Sequence, residues 1–537
     1  MTVIDQLGAR VFTVKALAEA GVIGPVRPDR LVSMGLALAK WGPTPAAGYR
    51  VSALRHPDRV GIIDERGTLT FSEIDRRTNA LAHALRGEGV REGDGVAIMC
   101  RNHRGFIDAT VALSKLGANA LYLNTQFAGP QITDVCAREK PVAIVYDEEF
   151  AELCAGALEG RKGLVAWGDG ENPHGHPLLE DLVAAGDDSA LAPPSEKGRV
   201  VILTSGTTGA PKGASRKQPD SLAPAASLFS EIPLRARQNT HIAAPLFHSW
   251  GFAHFTLAMA LGSTLVLRCR WSPEGMLNAV AEHQCTALVV VPVMLQRTLE
   301  LPEDVVDRYD VSCLRVIAAS GSVLPGELAL RVMDRFGDVV YNLYGSTEVA
   351  WATIATPQDM RAAPGTAGRP PHGTVVRLYD PEGNTVADGE TGRIFVGNEM
   401  AFEGYTGGGG KEIIDGLLST GDVGHFDADG RLFVDGRDDE MIVSGGENVF
   451  PREVEDLLAD HAAVEEAAVL GVADEEFGQR LKAFVVLREG KSADEDELRD
   501  YVKANLAGYK VPREVAFLEE LPRNATGKVV KRELEDA

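Results

Sequence analysis

Residues 204–213 read Thr-Ser-Gly-Thr-Thr-Gly-Ala-Pro-Lys-Gly, three glycines and four hydroxyl side chains in ten positions. Glycines expose backbone N–H groups without bulk and hydroxyls add donors, so such a turn suits the oxygens of a phosphate. Lys212 adds a positive charge at its end. A Walker A loop would set Ser or Thr directly after Gly-Lys to reach a metal. Here Lys212 follows Pro211 and precedes Gly213, so that motif is excluded. Three further turns carry side chains able to do chemistry: 245–251 with His248, 319–322 with Ser320 and Gly321, and 344–348 with Thr347 and the carboxylate of Glu348.

Each turn follows a short apolar run, at 200–203, 242–244, 314–318 and 339–343. Such runs read as buried strands. Ligands of open α/β sheets gather at the carboxyl ends of strands, which predicts four turns around one cleft. Upstream, Ser72 with Asp75 three residues on forms a capping-box pattern that would open a helix, with Ile74, Thr78, Leu81 and Leu85 on one face and Gly87 at its end. A strand at 96–99, a helix at 106–116 and a strand at 119–123 continue the alternation. The fold class is therefore α/β, with a mostly parallel sheet and helices on its faces. From about Gly365 the pattern turns β-like, and a boundary falls near residues 436–440. The expected division is a large N-terminal domain, 1–436, of α/β subdomains plus a β-rich subdomain, and a small α+β domain, 437–537.

A length of 537 residues exceeds one compact core, and 45% hydrophobic with 24% charged residues is ordinary for a globular protein. The net charge of −23 argues against a nucleic-acid partner, whose phosphates require a basic face. Cys100, Cys136, Cys154, Cys269, Cys285 and Cys313 form no CxxC pair and no metal spacing, as expected of reduced core thiols in a cytoplasmic protein. Asp5 and Arg10 interrupt any signal-like apolar run, and none reaches the ~18 residues of a spanning helix. Residues 31–41, with Met34, Leu36, Leu38 and Trp41, are the stretch best suited to any peripheral membrane contact, although a helix packed on the main body is the favoured reading of them.

The string from Val201 to Lys212 resembles the AMP-binding signature of the adenylate-forming superfamily, which includes acyl-CoA synthetases, carrier-protein adenylation domains and firefly-type luciferases. Segments 245–251, 341–348, 419–422, 436–449 and 521–528 agree in order and spacing, so the resemblance covers roughly residues 55–535. It implies a two-step reaction: a carboxylate attacks the α-phosphate of ATP and releases pyrophosphate, then a thiol attacks the acyl-adenylate. Thr204, Ser205, Gly206, Thr207, Thr208, Gly209 and Lys212 would hold the β- and γ-phosphates, and Glu348, assisted by Thr204, would bind Mg²⁺. Thr347 would donate to the α-phosphate, Tyr344 would lie against adenine beside the Ser320–Gly321 turn, and Asp422 with Arg437 would grip the ribose. Lys528, by itself a solubility charge near the end of the chain, becomes the catalytic lysine of adenylation. The small domain would be mobile, hinged at Asp439, and Gly445 and Gly446 would line the thiol passage. His248 remains either a positioning group or gate, or a general base.

The resemblance sets the acyl pocket around Trp250, Ser320, Val349 and Trp351. These turns hold no Lys or Arg to meet a second carboxylate and no Asp for an α-amine, which favours an apolar monocarboxylate. The motifs most resemble fatty-acyl-CoA synthetases, with coenzyme A as acceptor; a fatty-acyl-AMP ligase or an enzyme loading a carrier protein is the alternative. Chain length stays open, and the molecule is expected to be a monomer or homodimer.

Overall fold

The computed structural model describes residues 3–168, 175–204, 212–216, 221–387, 389–400, 402–406, 408–438, 442–444, 447–474, 478–506, 508–524 and 527–535. Three helices open the chain: α1 (Val3–Glu19), α2 (Pro28–Trp41) and α3 (Pro45–Arg55). The α/β alternation follows, with α4 (Phe71–Gly87) and α5 (Arg104–Leu116).

The N-cap of helix α4 lies two positions before the expected Ser72. Thr70 is its N-cap, its hydroxyl accepting from the Glu73 N–H at 3.2 Å while the Glu73 carboxylate accepts from the Thr70 N–H at 2.7 Å. Asp75 is instead buried and takes the ammonium of Lys115 from α5 at 2.8 Å and Arg50 from α3 at 2.6 Å. Lys115 also donates to the Thr78 hydroxyl and the Asn79 amide oxygen, so one buried cation ties α5 to α4. The face of Ile74, Thr78, Leu81 and Leu85 is buried as its spacing predicts.

Four sheets carry the described chain. One runs Phe402–Tyr405, Lys212–Arg216, Val200–Thr204, Asn119–Tyr122, Gly95–Met99, Ala143–Asp147, Lys162–Trp167, the last five strands parallel. A second runs Thr353–Ala355, Val340–Tyr344, Val316–Ala319, Ala287–Val290, Asn239–Ile242, Thr264–Val266, Val60–Asp64, Gly67–Thr70, with antiparallel strands only at its two ends. One large core holds residues of both sheets together with α4 and α5. The third sheet, Val375–Tyr379 to Leu432–Arg437, is antiparallel, in keeping with the β-like pattern after Gly365. The fourth, from Ile442–Ser444 to Glu514–Leu518, has its own core of Val454, Leu458, Val469, Leu481 and Val485. The molecule is thus a large mixed α/β body followed by a small α+β unit. The six cysteines are free thiols, four of them buried. No described helix is long and apolar enough to cross a membrane.

Candidate active site

A continuous cavity of about 1540 Å³ collects the turns singled out above. Pro245, His248 and Trp250 line it from one turn, Ser320 and Gly321 from the next, and Ser346, Thr347 and Glu348 from the third. These turns leave the carboxyl ends of three parallel strands of the second sheet, as the strand-end argument expects. The fourth turn belongs to the first sheet. Residues 205–211 lie outside the described residues, and Thr204 and Lys212 are described only at the backbone, where they are direct cross-strand partners closing the loop. Asp439, Gly445 and Gly446 also lie outside the described residues.

The turn at 245–251 is shaped by its neighbours. Buried Asn102 donates to the carbonyls of Ile242 and Ala244 and accepts from the Leu246 N–H at 2.9 Å. A Cβ on Gly251 would sit 2.2 Å from the Pro245 carbonyl oxygen, so only glycine lets the turn close. His248 then stands at the N-cap position of the helix Ser249–Leu261 without a capping hydrogen bond from its side chain, and Trp250 is fixed by its indole N–H on the Val290 carbonyl at 3.0 Å. Nε2 of His248 has no hydrogen-bond partner among the described residues. Burial, with Lys528 nearby, pulls its imidazole down to about 4, so it is neutral at physiological pH.

Glu348 is buried at the cavity wall. Its carboxylate accepts from the Tyr405 hydroxyl at 2.7 Å and the Ser346 hydroxyl at 2.9 Å. Burial opposes the charge, but these hydroxyls outweigh it and hold the carboxyl below its usual range. Tyr405 arrives because Phe402–Tyr405 pairs antiparallel with Lys212–Arg216, Tyr405 opposite Ala214. Sequence reading missed Tyr405, Asn102 and Lys411, which also lines the cavity, because hydroxyls, amides and lone cations carry no signal until pairing places them.

Asp422 and Arg437, expected as an acceptor and a donor set apart, are cross-strand neighbours. The Asp422 carboxylate accepts from the Tyr344 hydroxyl at 2.5 Å and Arg437 at 3.4 Å. Burial raises the Asp422 carboxyl above its ordinary value despite Tyr344, Arg437, Lys528 and Lys411. Arg437 therefore turns inward; its neighbour Asp438 pairs with Arg393.

Trp351 lines the cavity and donates to the Thr374 hydroxyl at 3.0 Å. Val349 does not line it: the side chain packs into the third sheet's core with Leu378 and Ile394, and Ala350 takes its place on the wall. A γ-turn causes this swap. The Trp351 N–H donates to the Val349 carbonyl with Ala350 at φ +64°, and Asn398 holds the carbonyls of Val349 and Trp351.

Lys528 lines the same cavity from the small α+β unit. Its backbone exchanges hydrogen bonds with Asn524, and Gly527 before it has φ +77°. A Cβ there would lie 2.6 Å from Cγ1 of Val293, so glycine lets this segment seat against the large body.

The comparisons with known proteins agree with this geometry. Residues 49–406 match the AMP-binding enzyme family model, and 453–528 match that of the AMP-binding enzyme C-terminal domain. The chain belongs to the AMP-binding enzyme family. It is 34% identical to a feruloyl-CoA synthase of Amycolatopsis sp, over 87% of this chain and 93% of that protein. It is also 34% identical to a 2-succinylbenzoate–CoA ligase of Geobacillus kaustophilus, over 89% of this chain and 95% of that one. Among solved structures, an anthranilate CoA ligase in complex with anthranoyl-AMP superposes with a TM-score of 0.81 at 26% identity, covering 92% of this chain and 96% of that one. This AMP-binding enzyme is an acid–thiol ligase of the AMP-forming kind, an acyl- or aryl-CoA ligase, with ATP and coenzyme A fitting it as co-substrates. These relatives are named for aromatic acids, so the fatty-acid expectation narrows to that coarser statement.

Proposed function

We propose that the protein is an acyl-CoA synthetase for a large apolar monocarboxylic acid, a long chain or an extended ring system. The observation that carries this reading is the apolar limb of the cavity. From Trp250 it runs beside the helix Ser249–Leu261 past Leu257, Val51, Met34 and Leu31 to helix α2. The ring acids named for the relatives favour a rigid head near Trp250 and Trp351, and the limb suits an apolar tail behind it.

In the first half-reaction a carboxylate oxygen of the acid bonds to the α-phosphorus of ATP, the α–β bridge breaks, and pyrophosphate leaves. Residues 204–212 would hold the departing phosphates, Thr347 and Lys528 would face the α-phosphate, and Tyr344, Ser320 and Gly321 would border the base. Asp422 and Arg437 suit the ribose hydroxyls as acceptor and donor. A carboxylate kept anionic by two hydroxyls suits a hard cation, so Glu348 with Thr204 would hold Mg²⁺, which would neutralise phosphate charge. Lys528 stabilises charge on the α-phosphate as it develops.

In the second half-reaction the coenzyme A thiolate bonds to the acyl carbon, the carbon–oxygen bond to phosphate breaks, and AMP leaves. We assign residues 437–537 as a mobile domain that turns at Asp439, withdraws Lys528 and brings Gly445 and Gly446 to the thiol passage. With its imidazole near 4, His248 is a weak acceptor for a thiol proton, which favours the positioning role over the general base.

Pyrophosphate release over a panel of short, medium and long fatty acids, hydroxycinnamic acids and polycyclic acids, with and without coenzyme A, tests the reading. Large apolar acids should exceed acetate-sized ones by about 100-fold in kcat/KM, since each buried CH₂ adds about 0.8 kcal/mol. A maximum on short or dicarboxylic acids, or no acid-dependent release, would refute it.

A further inference from the structure

Residues 1–48 precede the segment matched to the family. Seven of the thirteen large apolar side chains exposed by the described residues lie between residues 11 and 38. Among them, Leu31, Val32 and Leu36 on α2 are 58%, 64% and 54% exposed, and Val11 and Val14 stand out from α1. Leu31, Met34 and Leu38 share one face of α2 and line the cavity. Because Leu31 and Leu38 are also exposed, the apolar limb opens to the surface there. Val32 and Leu36, four residues apart, point outward and do not line it.

The charge of this region is opposite to that of the chain. Residues 3–41 hold five Lys or Arg against three Asp or Glu, within a protein of net charge −23. Guanidiniums gather where α2 meets the end of α3. Arg30 donates to the Arg55 carbonyl at 2.9 Å, Arg55 to the Val22 carbonyl at 2.7 Å, and Arg237 to the Gly21 carbonyl at 3.1 Å. Arg59 joins them on the Arg237 carbonyl. His56 beside them is depressed by burial and then by all four of these charges, so they stand close together. Backbone carbonyls take these hydrogen bonds, and a carboxylate takes none of them. Exposed apolar side chains and a guanidinium cluster at the two ends of one helix region, on an otherwise acidic molecule, suit an interface with anionic lipid and not a second acidic copy.

We propose that the outer face of α2 seats on an anionic bilayer surface and that the mouth at α2 takes the acid from the lipid phase. Delivery through the mouth rests on the large-apolar-acid reading; seating on the bilayer does not.

The full chain is floated with phosphatidylcholine vesicles containing about 30% phosphatidylglycerol and, separately, with phosphatidylcholine alone. It should float with the anionic vesicles, about 10-fold less with the neutral ones, and less in high salt. Val32→Ser combined with Leu36→Ser should reduce flotation at least about 10-fold. That variant should release pyrophosphate from a short water-soluble acid at the wild-type rate, which establishes its fold. It should lose turnover only on acid presented in anionic vesicles. Equal flotation of variant and wild type, or no flotation of wild type, overturns the proposal. A dimer made monomeric by the variant, without flotation, assigns the face to a second copy and overturns it too. Flotation with no advantage for vesicle-borne acid overturns delivery through the mouth. Failure of the acid reading is separate: wild type would then release no pyrophosphate from any large acid without vesicles, while flotation stood.

Discussion

At the residue scale, the proposed metal-binding role rests on Glu348. Tyr405 and Ser346 hold its carboxyl ionised despite burial, so its charge is maintained by partners and not by solvent. Glu348→Gln keeps nearly the same shape, removes the charge and turns one of the two accepting oxygens into an NH₂ that a Tyr405 or Ser346 hydroxyl can accept from. Pyrophosphate release should fall by about 100-fold and need more Mg²⁺, with thermal stability nearly unchanged. A variant that lost folding and activity together would make Glu348 a structural carboxylate. The motif around Glu348 was readable from residues 344–348 alone, because a strand-end turn of fixed spacing is a local property. Tyr405 was not, since it reaches Glu348 only through the pairing of two strands distant in sequence.

At the element scale, two contacts decide whether the site assembles. The turn carrying Lys528 lies against Val293, where Gly527 leaves no room for a Cβ. Gly527→Val should therefore slow adenylation about as much as Lys528→Ala. Both variants should still convert supplied acyl-AMP to the thioester, because that step does not use the seated turn. Stopped assays of each half-reaction check this, and equal loss of both halves would count against domain alternation. Deeper in the body, Lys115 joins α5 to α4 through Asp75, Thr78 and Asn79. Lys115→Met leaves a buried carboxylate with only Arg50, and urea unfolding should show a loss of about 3 kcal/mol. The helical periodicity of α4 could be read from its residues. Its start could not, because Asp75 looked like a cap until α5 claimed it.

At the scale of the whole molecule, buried histidines tie stability to pH. His241 is held by the Val266 carbonyl at 2.8 Å and depressed by burial to about 4; His254, edge-on to Trp250, is depressed to about 3. Unfolded, both titrate near 6.5, so the unfolded chain takes up protons between pH 6.5 and 4 while the folded one does not. Stability is thus full above about pH 6.5 and falls on acidification, by about 2 kcal/mol for each histidine at pH 5. Melting temperatures from pH 7.5 to 5 should show this slope, and His254→Gln should flatten it. A melting temperature constant over that range would contradict the burial of these rings.

The amino-acid sequence by itself determined the α/β class, the glycine- and hydroxyl-bearing turns at strand ends, and, through their resemblance, the AMP-forming ligase class. Each rests on local spacing, which fixes what a strand end or turn can present. The tertiary structure decided what depends on contact between distant segments. It set Asp422 against Arg437 across two strands, turned Val349 away from the pocket, and seated Gly527 on Val293. It also placed helix α2 at the open end of the cavity, which no local pattern records, because a cavity is formed by surfaces that meet only when the chain folds.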